Sequence, residues 1–449
     1  MTTDDYEHGV VPQDQRKGWL SIATIWIAIG IDLSGAFLGV ALASGMAFWP
    51  AIWATIAGSL LLGLIAIATS YVGAVTGLSS AMISRAVFGK VGGGILAFAM
   101  SISLLGWFAV QAGFFGTNAQ IAFTEFTGMD IPVPIFTGIG GVLMAVTAFW
   151  GYRSINKLSM LAVPLLLLLL LVSIVVAFSM NGTAALDAPV ESLYSFGGAI
   201  SLVMSLFILG VATAPDMARW AKTPKHAMLS GFVGFFFGNS IIIVVSVVLA
   251  RIMDGTELMA IFFALGLGAV AVVVLILAQW TTNTTNLYSA GLAFAAISAR
   301  IDRRTATVVL GIIGIAVGVI GAADYFVEFI LVIGIVIAPF GGVYVAAFAS
   351  GRKGPRWAHG AAVPTVDVWS IAAWLVGILV AVATTDPSHG PGFGWFTLTA
   401  VPALDGMIVG FLVYLALVPL RRKVEPDAAA SAPVASEEQP ARLDGGVSA

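Results

Sequence analysis

The sequence predicts an all-α polytopic membrane protein with twelve transmembrane helices. Three observations carry this. Hydrophobic residues make up 59% of the 449 and charged residues only 10%, against roughly a quarter charged in a soluble chain. Mean hydropathy is +1.02. Apolar segments of the length a bilayer demands, about 20 residues, recur at approximately 20–46, 50–75, 93–123, 132–151, 158–179, 195–216, 227–251, 260–294, 304–322, 326–350, 366–384 and 397–420.

Composition and charge narrow the field further. The net charge of −3 names no acidic partner such as nucleic acid, and nothing implies an obligate protein partner; the lipid bilayer is the one extended surface the chain must meet. With no cysteine, disulfides, thiolate metal sites and cysteine nucleophiles are excluded. The polar, acidic start "MTTDDYEHGVVPQDQRKGW" is not a cleaved signal peptide, so residues 1–19 read as a cytoplasmic segment. Residues 421–449, rich in Ala, Ser, Pro and Glu, read as a disordered cytoplasmic tail. With both ends inside, alternate loops collect the cations, among them Arg85, Lys90, Arg153, Lys157, Arg219, Lys222, Lys225, Arg300 and Arg352, and only Arg251 falls on the other side. Opposite loops carry acids such as Glu125, Asp130, Asp187, Asp254 and Asp386. This asymmetry orients the chain with N- and C-termini in the cytoplasm.

Within the first span, "IGIDLSGAFLG" (Ile29 to Gly39) places Asp32 about a dozen residues from the start. Three other acids, Asp216, Glu328 and Asp405, lie nearer span ends. A carboxylate at mid-bilayer needs a partner, solvent or a proton. One reading is an ion, proton or substrate site; the other is a hydrogen bond to a neighbouring helix. Likewise the small residues Gly30, Ser34, Gly35 and Gly39 around Asp32 fit either close helix packing or an unwound stretch whose carbonyls line a cavity. Span six holds a second candidate break, "LFILGVATAP" (Leu206 to Pro215), bracketed by Gly210 and Pro215. Spans one and six are each the first of five if residues 20–179 and 195–350 are two halves, with 366–420 outside them. Interrupted helices at corresponding positions point to a transporter's midplane site. An odd number per half requires the halves to insert with opposite topology.

Span eight carries "QWTTNTTNLYS" (Gln279 to Ser289), too polar for a lipid-facing surface. Thr281, Thr285 and Tyr288 share one helical face, and Thr282 and Asn286 another. Their oxygens are hard ligands suited to Na⁺, with interhelical hydrogen bonding as the plainer role for such residues. In span three, "LLGWFAVQAGFF" sets Trp107 and Gln111 one turn apart. An indole face beside an amide that donates and accepts suits a flat, polar heteroaromatic ligand. Phe207 in span six is a candidate for the opposite face.

These stretches, in order, resemble the nucleobase:cation symporter-1 family, and most closely its cytosine permease branch. The resemblance rests on "GVVPQDQRKGWL", "GWF" (Gly106 to Phe108), "PDMARW", "GNS" (Gly238 to Ser240), "WTTN" (Trp280 to Asn283) with "LYSAGLAFA", and "APFGGV" (Ala338 to Val343). It implies ten helices in the five-plus-five inverted repeat of the LeuT type plus two C-terminal helices. It also implies import across the inner membrane of a nucleobase or related ring, such as a hydantoin, allantoin, uracil or vitamin, driven by Na⁺ or, alternatively, H⁺. The aromatic pair that sandwiches the ring falls on Trp107 and Phe207, with Gln111 as a further ligand contact; Asp32, Asn283 and Asn286 are candidate ligand contacts from this chain's own polar residues. The Na⁺ site falls on the hydroxyls of Thr281 and Thr282 and the backbone carbonyls of Ile29 and Asp32. Where the cytosine permeases carry polar residues, this chain has Leu104, Leu206 and Leu209, and Asp32 stands at a usually uncharged position.

No enzyme is expected. The histidines His8, His226, His359 and His389 form no metal spacing, and no nucleophile–base pair is evident. A transporter-like sensor would usually append a soluble signalling domain, and a channel would repeat polar stripes on several helices.

Overall fold

The computed structural model describes residues 11–150, 155–295, 297, 302–351, 357, 361–388 and 390–424. Among them the chain is helical, with one isolated β-bridge between Lys17 and Ala221. The first apolar segment forms two helices, α1 (Trp19–Gly30) and α2 (Leu33–Gly45), bent by 54°. Next comes α3 (Phe48–Thr76), closed by Gly77 with a left-handed φ of 69°. α4 (Ser80–Thr127) turns sharply at Gly89, whose φ of 83° is open to glycine and strained for other residues. Then follow α5 (Val133–Trp150), α6 (Ile155–Asn181), α7 (Phe196–Ala212), α8 (Pro215–Ala218), α9 (Pro224–Met253), α10 (Leu258–Ala264) and α11 (Gly268–Ala295). α12 (Arg303–Val319), α13 (Phe326–Gly351), α14 (Val368–Thr384) and α15 (Pro402–Val424) complete the chain. Among the described residues eight helices are long and apolar enough to cross a membrane, or nine with the bent α1–α2 pair as one span; α7 and α14 are shorter apolar helices.

Three boundaries differ from the sequence expectation. Segment 260–294 is two helices, because Gly266, at φ 73°, ends α10 in a Schellman turn. Its N–H bonds to the Phe263 carbonyl at 2.9 Å and the Leu267 N–H to the Phe262 carbonyl at 2.8 Å. In span six the helix runs through Gly210 and yields only at Thr213–Ala214, before Pro215. Proline cannot donate to the Val211 carbonyl one turn back, which accepts from the Ala214 N–H at 3.2 Å; the Thr213 hydroxyl bonds to the carbonyls of Leu209 and Gly210, at 3.0 and 3.2 Å. Finally, α15 continues to Val424, past Leu420. Arg421 pairs with Asp367 at 2.6 Å, and a cation in a last turn also favours the helix end. The remainder of the expected tail, 425–449, lies outside the described residues, as do residues 1–10.

The helices sort into two packed groups. α9 packs against α1, α2 and α3, and α3 in turn against α7; α4 packs against α5, α11 and α12. Glycines permit the first group. A Cβ on Gly30 would sit 2.9 Å from the backbone of Gly238, and one on Gly39 would sit 2.6 Å from the Ile243 carbonyl oxygen. The small residues of the first span and the "GNS" stretch are therefore two sides of one close α1/α2–α9 contact, and the next residue of that stretch, Asn239, ties α9 to α3 by donating to the Ser59 hydroxyl at 3.0 Å. The second group has its own apolar core, including Leu105, Phe108, Met144, Leu287 and Leu310. α4 serves both: Trp107 belongs to the larger core and Phe108 to the smaller. Gly30→Val is expected to destabilise the protein by about 1–3 kcal/mol through backbone overlap. Gly94→Ala, with nothing within 4 Å of the new Cβ, should be neutral or stabilising by up to about 1 kcal/mol. Thermal melts of the purified variants check both.

Candidate functional site

The site begins where α1 stops. Ile31 caps α1 (φ −84°, ψ 69°), and Asp32 is extended (φ −111°, ψ 150°) as the N-cap of α2. An aspartate suits that position because its oxygen accepts from the orphan N–H groups of the next helix; here Oδ2 accepts from the Ser34 N–H at 3.2 Å. The break has a second consequence. Backbone bonds run from Ile31 N–H to Ile27 O and from Gly35 N–H to Asp32 O. The carbonyls of Ile29, Gly30 and Ile31 receive no backbone hydrogen bond from α2 among the described residues. Of the two expected ion-binding carbonyls, Ile29 is thus open, whereas that of Asp32 is engaged by Gly35. Gly30 and Ile31 add carbonyls that the sequence reading did not single out.

Distant elements converge on the Asp32 carboxylate. From α4, the Gln111 amide nitrogen lies 3.2 Å from Asp32 Oδ2 and 2.9 Å from the Ser34 hydroxyl. From α11, the Thr282 side chain lies close to the same carboxylate. Three predicted site residues, Asp32, Gln111 and Thr282, therefore meet at one place, where Asp32, Gln111 and Ser34 are joined by hydrogen bonds. In the sequence Ser34 reads as one more small residue beside Asp32; the signal that marks it is a hydroxyl two positions after an acid at a helix break. Next to Thr282, Thr281 is buried and donates to the Ala278 carbonyl at 3.0 Å. That bond uses the hydroxyl proton and leaves oxygen lone pairs for a cation. Oxygen donors of this kind, with the open carbonyls of α1, fit a hard monovalent cation. Asn286, one turn after Thr282, makes no side-chain hydrogen bond among the described residues and is half-buried.

Asn283 sits elsewhere. It is fully buried, and its amide donates to the Phe108 carbonyl at 3.1 Å and approaches Met144 Sδ at 3.3 Å. It stitches α11 to α4 and α5 inside the smaller core. Trp107 is buried with its ring edge-on to Phe329 and Phe326, at 5.2 and 6.2 Å between centroids. Phe326 in turn meets Phe114, which stacks on Phe37 of α2 at 3.7 Å. Phe207 is half-buried on α7 and not in ring contact with Trp107. The aromatic wall from α2 and α13 was not read from the sequence, since lone phenylalanines at helical spacing carry no signal of their own. Of the other acids, Asp216 ties α8 to the start of α4, accepting from the Ser80 N–H at 2.7 Å and hydroxyl at 2.6 Å. Asp405 accepts from Thr399 in the approach to α15, at 2.9 and 2.5 Å. Both are structural ties away from the break.

Comparison with known proteins gives a consistent picture. Residues 10–413 match the family described as permease for cytosine/purines, uracil, thiamine, allantoin. The chain is 31% identical over 422 residues to the cytosine permease of Escherichia coli strain K12, covering 93% of this chain and 95% of that protein. Among solved structures it superposes on the inward-facing conformation of Mhp1 with a TM-score of 0.77 at 17% identity, covering 92% of this chain and 93% of the other. It superposes on Mhp1, a nucleobase-cation-symport-1 family transporter, in a closed conformation with bromovinylhydantoin bound, with a TM-score of 0.74, 17% identity and coverage of 93% and 96%. At that identity the likeness is one of fold.

The Asp216 tie yields a direct test. Asp216→Asn leaves one oxygen to accept from two Ser80 donors and turns an NH₂ toward them. The expected loss of stability is about 1–3 kcal/mol, read by thermal or denaturant unfolding.

Proposed function

Since the chain belongs to the nucleobase:cation symporter-1 family, on its cytosine permease branch, we propose that it imports a nucleobase or closely related ring together with Na⁺ by alternating access. It is a membrane transporter and not an enzyme. The observation that carries the reading is the convergence on Asp32: one carboxylate at the break of the first span bonds to the candidate ring contact Gln111 and lies close to the candidate ion ligand Thr282. Na⁺ is taken between α1 and α11 by the Thr281 and Thr282 hydroxyls and the carbonyls of the break, Ile29 first among them, with Asp32 as its counter-charge. The ring stacks on Trp107, with Phe207 closing from α7 and Gln111 and Asn286 reaching its edge. Asn283 supports this arrangement from behind.

The remaining architecture follows the family: twelve spans, two inverted five-helix halves and two further helices, in the inner membrane with both termini cytoplasmic. Transport is a rocking of the α1, α2, α3, α7 and α9 group against the α4, α5, α11 and α12 group. The separate packing of the two groups supports this. Since ion and ring share a carboxylate, their affinities are coupled, and linkage makes the coupling reciprocal. A second reading, H⁺ coupling with Asp32 as the proton carrier, is favoured by the depth of that carboxylate in the span.

Uptake of radiolabelled bases into proteoliposomes tests the proposal: an inward Na⁺ gradient should drive accumulation above equilibrium. An accumulation driven by a pH gradient alone selects the proton reading, and no accumulation under either gradient refutes symport. Asp32→Asn is expected to lower Na⁺ dependence, or to abolish the pH dependence if the proton is the driver. Unchanged dependence on both removes Asp32 from coupling. Trp107→Ala should reduce ring affinity at least about tenfold, from the loss of about 1.5 kcal/mol or more of stacking and burial, with folding intact by thermal melt.

A further inference from the structure

We propose that the cavity between α7, α13 and the α14–α15 connection is a second ligand site, which takes an organic cation: an amine or quaternary ammonium with an apolar body. The cavity measures about 480 Å³, within the roughly 300–1,000 Å³ of small-molecule sites.

A fold-back of the chain builds its rim. After α14 the stretch "TDPSHGPGFGWF" (Thr385 to Phe396) returns along the helix end. The N–H groups of Phe393, Gly394 and Trp395 bond to the carbonyls of Val382, Thr385 and Ala383, at 3.0, 2.8 and 2.8 Å. Glycine makes this approach possible. Gly394 has a φ of 59°, and a Cβ on Gly392 would overlap the Thr385 carbonyl oxygen. Two aromatic rings, Phe393 and Phe396, are thereby held at the mouth with Asp386.

The lining decides the ligand class. Among the described residues no Lys, Arg or His lines the cavity, and its one charged side chain is Asp386. At the buried floor the Thr384 and Thr385 hydroxyls donate to the carbonyls of Val380 at 3.1 Å and Ala381 at 2.7 Å. Their oxygens therefore present only lone pairs to an occupant. Tyr194, Phe393 and Phe396 supply rings, and aromatic faces attract cations. Burial, and behind it the charge of Glu328, raise the Tyr194 phenol above its usual value; a second carboxylate adds its field at that side. An anion would find no partner here. Leu202, Leu331 and Pro402 are buried and suit an apolar body. Exposed rings alone could be interfacial anchors, but that role calls for neither the carboxylate nor the cavity.

The site is separate from the one at Asp32. Leu331 lines the cavity from α13, whereas Phe326 and Phe329 of the same helix meet Trp107. Two helical positions turn the chain by roughly 200°, so Leu331 and Phe329 lie on opposite faces. An occupant rests against the back of the helix that walls Trp107.

The test uses the purified full chain and ligand-induced thermal stabilisation at constant ionic strength. The probes are choline, benzyltrimethylammonium and 3,3-dimethylbutan-1-ol, the neutral carbon isostere of choline. At least one of the two cations should stabilise the protein saturably, with choline about tenfold or more tighter than its isostere. Asp386→Asn, which keeps an oxygen for the Ser388 N–H, should weaken the cations about fivefold or more, and Phe396→Ala about threefold. Asp32→Asn should leave their affinity within about twofold. The proposal is overturned if neither cation stabilises the protein, if the neutral isostere binds as tightly as choline, or if Asp386→Asn binds the cations like the native chain. It is equally overturned if Asp32→Asn abolishes their binding, which would place them at the break. Nanodiscs of phosphatidylglycerol and of phosphatidylcholine separate the sources of the ammonium group. A site filled by lipid headgroups binds free choline more weakly in phosphatidylcholine alone; a site filled from solution binds it equally in both.

Discussion

A helix that stops inside a membrane must find partners for the backbone groups it releases, because the surrounding hydrocarbon offers none. The first span solves this with one side chain. Asp32 caps the Ser34 N–H at the start of α2, while the carbonyls at the end of α1 stay open. The same carboxylate also accepts from the Gln111 amide and lies close to Thr282. The cap of α2 and the Gln111 amide are parts of one hydrogen-bond network, beside the open carbonyls of α1. Disturbing any member changes what the others can bond.

The close backbone contact beneath the break keeps this network in register. α1 and α2 lie on α9 through Gly30, Gly39 and Gly238, so the break is supported from one side by backbone that has no side-chain freedom. On the other side α4 presents two different faces. Gln111 looks toward the broken helix and Trp107 meets α13, while Phe108 joins the core of α5, α11 and α12. An element shared in this way couples two packed groups without belonging wholly to either, and the Asp32–Gln111 bond is a direct link between them.

Much of this was legible in the chain itself. The break in the first span, the isolation of Asp32 and the pairing of Trp107 with Gln111 follow from spacing alone. Other features resisted. Gly266 sits in an apolar run that hydropathy reads as continuous, and only its left-handed backbone ends α10 there. Asn283 belongs to the same polar string as Thr282, yet one residue of helical rotation sends it into a dry interface. Asp216 and Asp405 looked like Asp32 by composition but serve local ties. The aromatics Phe37, Phe114, Phe326 and Phe329 assemble from three helices and carry no mutual signal in sequence.

By itself the sequence determined that the protein lives in a bilayer, where its first helix breaks, and which family it belongs to. These depend on local composition, on glycine and proline chemistry, and on motifs read in order. Only the tertiary structure decided which way the Gln111 amide points, which carbonyls of the break stay open, and which of the polar residues in α11 face the site. Those outcomes depend on what stands opposite each group across a helix interface. The partners of Asp32 come from positions 34, 111 and 282, and no one-dimensional pattern encodes that they meet.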